Sequence, residues 1–477
     1  MNDLFDIVII GGGIAGLYSA FRLLQQNPYT RLLIVEKQSY LGGRIFTYHD
    51  DTMTVEGGAG RFSKHHALLW KLLNELGLSS KISAISGGFE FVSTNRNFPE
   101  RRPKGDENGV AEEGPQKAVY EVVLASKRES LSYLRSVSFL DFAKGVVGVK
   151  RANHIVDSFG YYSELVIMNA HDAIVLMDVL DTPDFYSLVG GLSQIITELE
   201  KRVRSYPNVQ IRLKTNVSRF VLPKHPCVKT RGCLSDKFRF SDETTEGSLY
   251  GKSRKGQTRK MRNAVLKEHP YCITLDADTR VYSRKCIFAV PKQALEKLSA
   301  FRRVRPLLKY IVCGSLCRIY SQFPTDSTID KLYDQKITTN NDLRMIIPVD
   351  AKRGVVMISY SDNKFADGWH AMEKSKDGIK AIDAKIADLV NETLDIRIPK
   401  PLKTKVFYWP CGVGYWKVGA NSRDISKRII RPFAKHDIFV CGEHYSEKNQ
   451  QWMEGALETS EKVFDILRRD TRRKISV

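Results

Sequence analysis

No stretch of the 477-residue sequence holds the run of about eighteen apolar residues that a membrane-spanning helix needs. No leader peptide precedes the first strand-like run either, so a secreted or membrane-anchored protein is not expected and the location expected is cytoplasmic. The eight cysteines, Cys227, Cys233, Cys272, Cys286, Cys313, Cys317, Cys411 and Cys441, include no C-x-x-C pair. That scatter fits reduced thiols better than a disulfide framework or a zinc site, and no metal is expected. Acidic side chains are in deficit, 54 against 74 lysines and arginines, for a net charge of +20. Such a balance attracts polyanions, whether nucleic acid, acidic protein or a membrane surface. It serves solubility equally well, and no nucleic-acid fold motif is present. A content of 42% hydrophobic and 10% aromatic residues is ordinary for a globular protein, and the length exceeds that at which one core keeps growing, so two domains are expected.

What is present begins at the N-terminus. Ile7 to Ile10 form a β-branched run suited to a strand buried on both faces of a parallel sheet. Helix follows from Ile14. Gly11, Gly13 and Gly16 have the G-x-G-x-x-G spacing: the first makes a tight turn, the second lets backbone approach a pyrophosphate, and the third lets helix pack on strand. Phosphates would sit at the helix start, by Ile14 and Ala15, where free N–H groups and the helix dipole favour anions. A second apolar run, Leu32 to Val35, ends in Glu36, with Lys37 beside it; a carboxylate there can hold a ribose 2′-OH and argues against a 2′-phosphate.

Gly42-Gly43-Arg44 and the loop Val55 to Arg61, with Gly57, Gly58 and Ala59, are too glycine-rich for element interiors and read as backbone lying close to a ligand. Arg44 and Arg61 beside them would suit a phosphate-bearing one. Near the other end, Asp437 to Glu443 reads as a strand ending in Gly442-Glu443. Gln450 to Ala456, which contains Trp452 and Met453, leads into a helix through Leu467. These segments can close over the far end of an extended dinucleotide.

Between the ends, Leu68 to Leu76 repeat at helical spacing before Gly77. Asn95 to Gln116 reads as a mobile surface loop, and Val119 to Leu180 as a helical subdomain. Gly190-Gly191-Leu192 opens a helix through Arg202, and Val209 to Leu213 reads as a strand. Residues 222–268 form a basic insertion expected to be flexible, either a polyanion contact or a solvated run. Strands are expected at Tyr271 to Leu275 and Lys285 to Val290, a hairpin or meander at Leu343 to Val349 and Gly354 to Tyr360, and a helix from Gly378 to Thr393.

As a set these motifs resemble the flavin-containing amine oxidase superfamily, which includes monoamine, polyamine and L-amino-acid oxidases. The resemblance implies an α/β fold: a Rossmann-type FAD-binding domain (1–62, 186–300 and 405–470) interleaved with a mixed β-sheet plus helical substrate domain (63–185 and 301–404). It implies that Glu36 holds the adenosine ribose, that Arg44 lies near the pyrophosphate, and that Glu56-Gly57-Gly58-Ala59 runs under the flavin. Val217 would meet the adenine, Ile287 to Pro291 match an apolar strand ending in proline, and Gly442, Glu443, Trp452, Met453 and Ala456 match the C-terminal flavin motif.

Two departures bear on chemistry. Where the family commonly places a lysine near flavin N5, the stretch Gly314 to Tyr320 offers Arg318, which stays protonated, so any role is electrostatic unless it is structural. Cys411 is not adjacent to Tyr415, so FAD is expected to be non-covalent. The mechanism implied is hydride transfer from the carbon beside an amine to flavin N5, giving an imine, with O2 reoxidising the flavin to H2O2. Trp452 with Tyr415 or Trp416 would align the amine, ordinary core packing being the other fate of such rings. A polyamine would be repelled at long range by the +20 charge, and amino-acid or acidic substrates steered more favourably. Other readings are a desaturase or protoporphyrinogen-type oxidase, or a flavoprotein of weakened catalysis that binds a polyanionic partner through residues 222–268.

Overall fold

The computed structural model describes residues 3–85, 87–92, 115–180, 184–222, 271–276, 279–325 and 327–475. The loop expected at Asn95 to Gln116 and the basic insertion at 222–268 fall outside these residues but for Pro115, Gln116 and Leu222. Among the described residues no helix is long and apolar enough to cross a membrane.

The N-terminal run forms β1 (Asp3–Ile10), which leads through the glycine turn into α1 (Ile14–Gln26) and back to β2 (Leu32–Val35). With β3 (Val209–Arg212), β4 (Val217–Val221), β5 (Tyr271–Leu275) and β6 (Arg280–Phe288) they build a sheet in the order β4-β5-β6-β1-β2-β3, and the short strand Ile438–Val440 lies against β6. The pairs β6-β1-β2-β3 are parallel and β4-β5-β6 antiparallel. Alternation along β1 sends Ile7 and Ile9 into a core with Leu17, Leu24 and Phe464, and Val8 and Ile10 into another with Phe220, Phe288 and Phe301. A strand with apolar side chains on both faces can sit only in the middle of such a sandwich. This explains why the chain's first strand is the centre of the sheet.

The second sheet, of six strands, contains β7 (Ile311–Gln322), β8 (Val355–Asp362) and β9 (Lys403–Trp416) in the order β9-β7-β8, continued by Met345–Asp350, Lys336–Thr339 and Phe89–Val92. The expected hairpin is present: Met345–Asp350 pairs antiparallel with β8. Helices of residues 115–180 pack around Phe139, Phe142, Ile155 and Leu165, and against Val413 and Tyr415 of β9. One of them is Tyr162–Val166. The Asp362 carboxylate at the end of β8 accepts from the amides of Tyr162 and Ser163 at 2.8 and 2.7 Å, which pins that helix start to the sheet.

The C-terminal helix, Met453–Ile475, closes the structure on its N-terminal end. The Glu454 carboxylate accepts from the amides of Leu68 and Leu69, both at 2.9 Å, satisfying first-turn donors of the helix Ala67–Glu75. Ser460 Oγ donates to the Ala15 carbonyl on α1 at 3.3 Å.

One sequence expectation is overturned here. Cys313 on β7 and Cys411 on β9 form a disulfide, with Cα atoms 4.9 Å apart, so the eight thiols are not all reduced. The two cysteines are 98 residues apart in sequence and meet because β7 and β9 pair, with a register slip between Gly314 and Leu316. No spacing rule shows such a partner.

Two glycines test the packing. In Gly16 an added Cβ would lie 2.0 Å from the Gly11 carbonyl oxygen, whereas at exposed Gly145, inside the helix Phe139–Val147, it would meet nothing within 4 Å among the described residues. Gly16→Ala is expected to cost about 1–3 kcal/mol in urea unfolding, and Gly145→Ala to stabilise by roughly 0.5–1 kcal/mol.

Candidate active site

The glycine turn after β1 is built by backbone constraint. Gly11 has φ of +105°, which a side chain would strain, and its amide donates to the Val35 carbonyl at 2.8 Å. Gly12 N donates to Glu36 Oε2 at 2.7 Å. The acid at the end of β2 is therefore held at the turn, with exposed Lys37 beside it. The Glu36 carbonyl accepts from Thr215 N at 2.9 Å, which brings the start of β4, Val217, to the same end of the sheet.

Helix α1 opens at Gly13 with no side-chain cap, leaving its first amides, those of Ile14 and Ala15 among them, and the positive end of the helix dipole for a ligand. A Cβ on Gly13 would meet only the Gly42 carbonyl, at 3.9 Å. Gly42 N bonds the Gly12 carbonyl at 2.9 Å, and Gly43 backs onto Gly13. An uncapped helix start, open room and a fixed carboxylate fit the phosphates and ribose of a dinucleotide.

The second glycine cluster turns beneath Arg44. A Cβ on Gly58 would lie 2.0 Å from the Arg44 carbonyl, and Ala59 N donates to that carbonyl at 2.9 Å. The Arg44 side chain crosses to the C-terminal motif, where it pairs with Glu443 and donates to the Gly412 carbonyl at 2.8 Å. Glu443 also pairs with His444 at 2.9 Å and accepts from Gln451 N at 2.7 Å. Burial opposes its charge, but His444, Arg44 and these hydrogen bonds outweigh burial and hold its carboxyl well below the ordinary range.

Arg318 on β7 lies against the loop Glu56 to Gly60. It donates to the Glu56 carbonyl at 3.0 Å, where Tyr320 Oη also donates at 2.8 Å, and its guanidinium stacks 4.5 Å from the Tyr360 ring centroid. The Glu56 carboxylate is held by Leu192 N at 2.7 Å and Thr47 Oγ1 at 2.9 Å. Arg61 stands over the rings of Phe185, at 4.2 Å, and Trp452, at 5.9 Å, and donates to Tyr161 Oη at 3.3 Å. Tyr161 meets Tyr360 edge to face at 5.4 Å, so two guanidinium groups flank one tyrosine pair.

Two buried donors near this wall have no partner among the described residues: Trp452 Nε1 and His66 Nε2, on rings 4.9 Å apart. His66 Nδ1 accepts from Ser63 N at 3.1 Å, and burial pushes its pKa down to about 4, so it is neutral with its proton on Nε2. Adjacent orphan donors mark a place that a ligand's acceptors complete. Behind the wall, Glu164 is 5% exposed with Oε2 unpartnered among the described residues. Burial, reinforced by the Asp362 carboxylate and opposed by Arg61, pushes it up to about 8.

This geometry can be set beside known proteins. Residues 9–76 match the model of an NAD(P)-binding Rossmann-like domain. The chain is 21% identical to Achacin of Lissachatina fulica over 96% of its own length and 92% of the relative's. It is equally 21% identical to Aplysianin-A of Aplysia kurodai, over 97% and 90%. The solved structure of wild-type putrescine oxidase bound to putrescine superposes with a TM-score of 0.69 at 15% identity, covering 98% of this chain and all of that one. The chain has the amine-oxidase fold.

Within the amine-oxidase fold the expected site residues divide. Gly11, Gly13, Gly16 and Glu36 lie together at the turn. Arg44, Gly442 and Glu443 meet across the chain ends, and Met453 and Ala456 pack in one core with Ile14 and Ala15. Trp452 meets an aromatic ring, but it is Phe185, stacked at 5.9 Å with an interplanar angle of 10°. No ring pair joins Trp452 to Tyr415 or Trp416 among the described residues, although Trp452 packs against the helical core that holds Tyr415. Trp416 lies in the core below the first sheet and donates through Nε1 to the Ser446 carbonyl at 3.0 Å. Tyr415, on the opposite face of β9, is 1% exposed among the helices of residues 115–180. Alternation along a strand puts neighbours on opposite faces, so at most one of the two could have faced Trp452.

Sequence reasoning did not find His66, Phe185, Tyr161, Tyr360 or Glu164, each a single side chain outside any motif. The buried acid carries a testable consequence. Because the folded-state pKa of Glu164 is raised, its contribution to stability is fully present below the unfolded value of 4.5 and is lost as pH rises through about 8. Urea unfolding from pH 5 to 9 should show this loss, at most about 1.4 kcal/mol per pH unit, and Glu164→Gln should remove that component.

Proposed function

We propose that the protein is an FAD-dependent amine oxidase whose substrate carries a carboxylate beside its amine, α-amino acids being the first class to test. The observation that carries this reading is the pair Arg61 and Arg318, which forms no ion pair among the described residues and flanks Tyr161 and Tyr360 beside the loop Glu56 to Ala59. Arg61 is held by ring faces in place of a counter-ion, which leaves donors free for a carboxylate oxygen pair.

FAD, when bound, supplies the two-electron acceptor, and O2 takes those electrons on to H2O2. The chain's residues bind and orient. Glu36 and the α1 amides would hold the cofactor's polar groups, the Arg44–Glu443 pair would fix the two chain ends beside them, and Arg318 with Tyr320 fixes the loop Glu56 to Ala59 through one carbonyl. Arg61 would align the substrate carboxylate, with Phe185 and Trp452 as an apolar wall excluding water. Arg318 cannot serve as a base, so the amine must reach the site already deprotonated or lose its proton to water.

Protein purified with its flavin is expected to release H2O2 with α-amino acids and not with putrescine. Arg61→Ala is expected to raise KM for the amino acid roughly 10- to 100-fold, with a smaller effect on kcat, as for loss of a charged substrate contact. Preference for putrescine, an unchanged KM, or turnover of coproporphyrinogen III with no amine turned over would overturn the reading.

A further inference from the structure

Beside the Arg44–Glu443 pair stands a cluster that the cofactor reading does not use. Cys313 and Cys411 are disulfide-bonded, and both are only partly buried, whereas the His444 ring between them and Glu443 is 1% exposed. Each ring nitrogen of His444 faces one sulfur: Nδ1 lies 3.9 Å from Cys313 Sγ and Nε2 3.6 Å from Cys411 Sγ. Lys292 N donates to Nδ1 at 3.3 Å. That makes Nδ1 an acceptor and places the ring proton on Nε2, toward the Glu443 carboxylate 2.9 Å away. Arg44 Nη1 lies 3.3 Å from Nε2 and completes the charged surroundings.

We propose that Cys313, Cys411 and His444 form a peroxide-reactive dithiol/disulfide centre, with Cys313 as the attacking thiol and Cys411 as the resolving one. In the reduced protein Cys313 gives its proton to His444 Nδ1, the resulting imidazolium being held by Glu443. The Cys313 thiolate attacks one peroxide oxygen; the O–O bond breaks, a sulfenic acid forms, and the leaving hydroxide takes the proton from His444 as water. The Cys411 thiol then attacks the sulfenic sulfur. The S–O bond breaks, the S–S bond forms, and the second water leaves with the Cys411 proton. Two thiols and one H2O2 thus give one disulfide and two waters. A small-molecule dithiol reverses the change by exchange, both cysteines being only partly buried.

The oxidase reading supplies peroxide at this place, and the proposal rests on it for the source of oxidant only. The test therefore adds H2O2 directly to full-length protein reduced with a dithiol, and follows each cysteine by alkylation and mass spectrometry. Cys272, also partly buried, is the internal reference. Cys313 is expected to be oxidised roughly tenfold or more faster than Cys272 at neutral pH, with the Cys313–Cys411 disulfide as product. In Cys411→Ser a sulfenic acid should accumulate on Cys313 and be trapped by a dimedone probe. In His444→Gln the pH profile of Cys313 alkylation should move up toward the ordinary thiol value of about 8.5. Oxidation of Cys313 no faster than of Cys272, or an unshifted profile in His444→Gln, would overturn the centre. A protein with no amine turnover whose pair still closes under added peroxide would keep the centre and remove only the oxidase reading.

Discussion

The carboxylate of Glu443 is the point on which distant parts of the chain depend. It is 6% exposed and ionised, a state that burial alone would forbid. Its charge survives because Arg44, His444 and the amide of Gln451 converge on it. Those groups come from the glycine cluster after β2, the end of the sheet, and the loop before the C-terminal helix, while Gly412 of β9 enters through the same arginine. Removing one partner of such a set leaves a charge buried without compensation, a loss on the order of 3–5 kcal/mol. A pair so placed acts less as a source of stability than as a gauge. It fixes how far the two chain ends can stand from one another.

That constraint explains what could be read from the sequence. Strand β1, α1, β2 and Glu36 are contiguous, and their order of strand, tight turn, helix and acid follows from local rules, so this end of the fold was legible residue by residue. The strands Tyr271–Leu275 and Met345–Asp350 were legible for the same reason, since an apolar run bounded by turns needs no partner to declare itself. The disulfide was not, because it depends on the register between β7 and β9. Nor was the aromatic wall: Phe185 and Trp452 are 267 positions apart along the chain and stack only because the C-terminal helix start is pinned over the helix Ala67–Glu75 by Glu454. Tyr415 and Trp416 show a further difficulty: they fall in different cores, and Trp452 packs against the one that holds Tyr415. A motif points to a segment, and strand alternation then assigns its neighbours to opposite faces, a step that requires knowing which face is the site.

Arg61 shows how tertiary context reassigns a residue that a local rule had placed. Beside a glycine cluster, an arginine is a natural phosphate ligand, and Arg44 and Arg61 occupy equivalent places in that pattern. The fold separates them. Arg44 has a buried carboxylate to neutralise and is committed to it; Arg61 has aromatic faces and a tyrosine hydroxyl, which support a cation without cancelling it. A guanidinium supported but not neutralised retains its capacity to bind an anion, and burial, which pushes Glu164 up to about 8, weakens the competition of that acid for it.

The same reasoning separates two scales of electrostatics in the protein. The net charge of +20 acts at long range, is screened within about 10 Å at ordinary salt, and steers any anion toward the surface without choosing among them. Selection requires charges fixed at short range in a partly dry wall, where each is worth several times more than in water. Arg61 and Arg318 meet that requirement on opposite sides of one tyrosine pair. Polyamine recognition would demand the reverse, an ionised acid facing the same space, whereas Glu164 stands behind the wall and burial with its neighbour Asp362 pushes it up to about 8. On the proposed reading, the field that draws a ligand in and the wall that would hold it agree in sign.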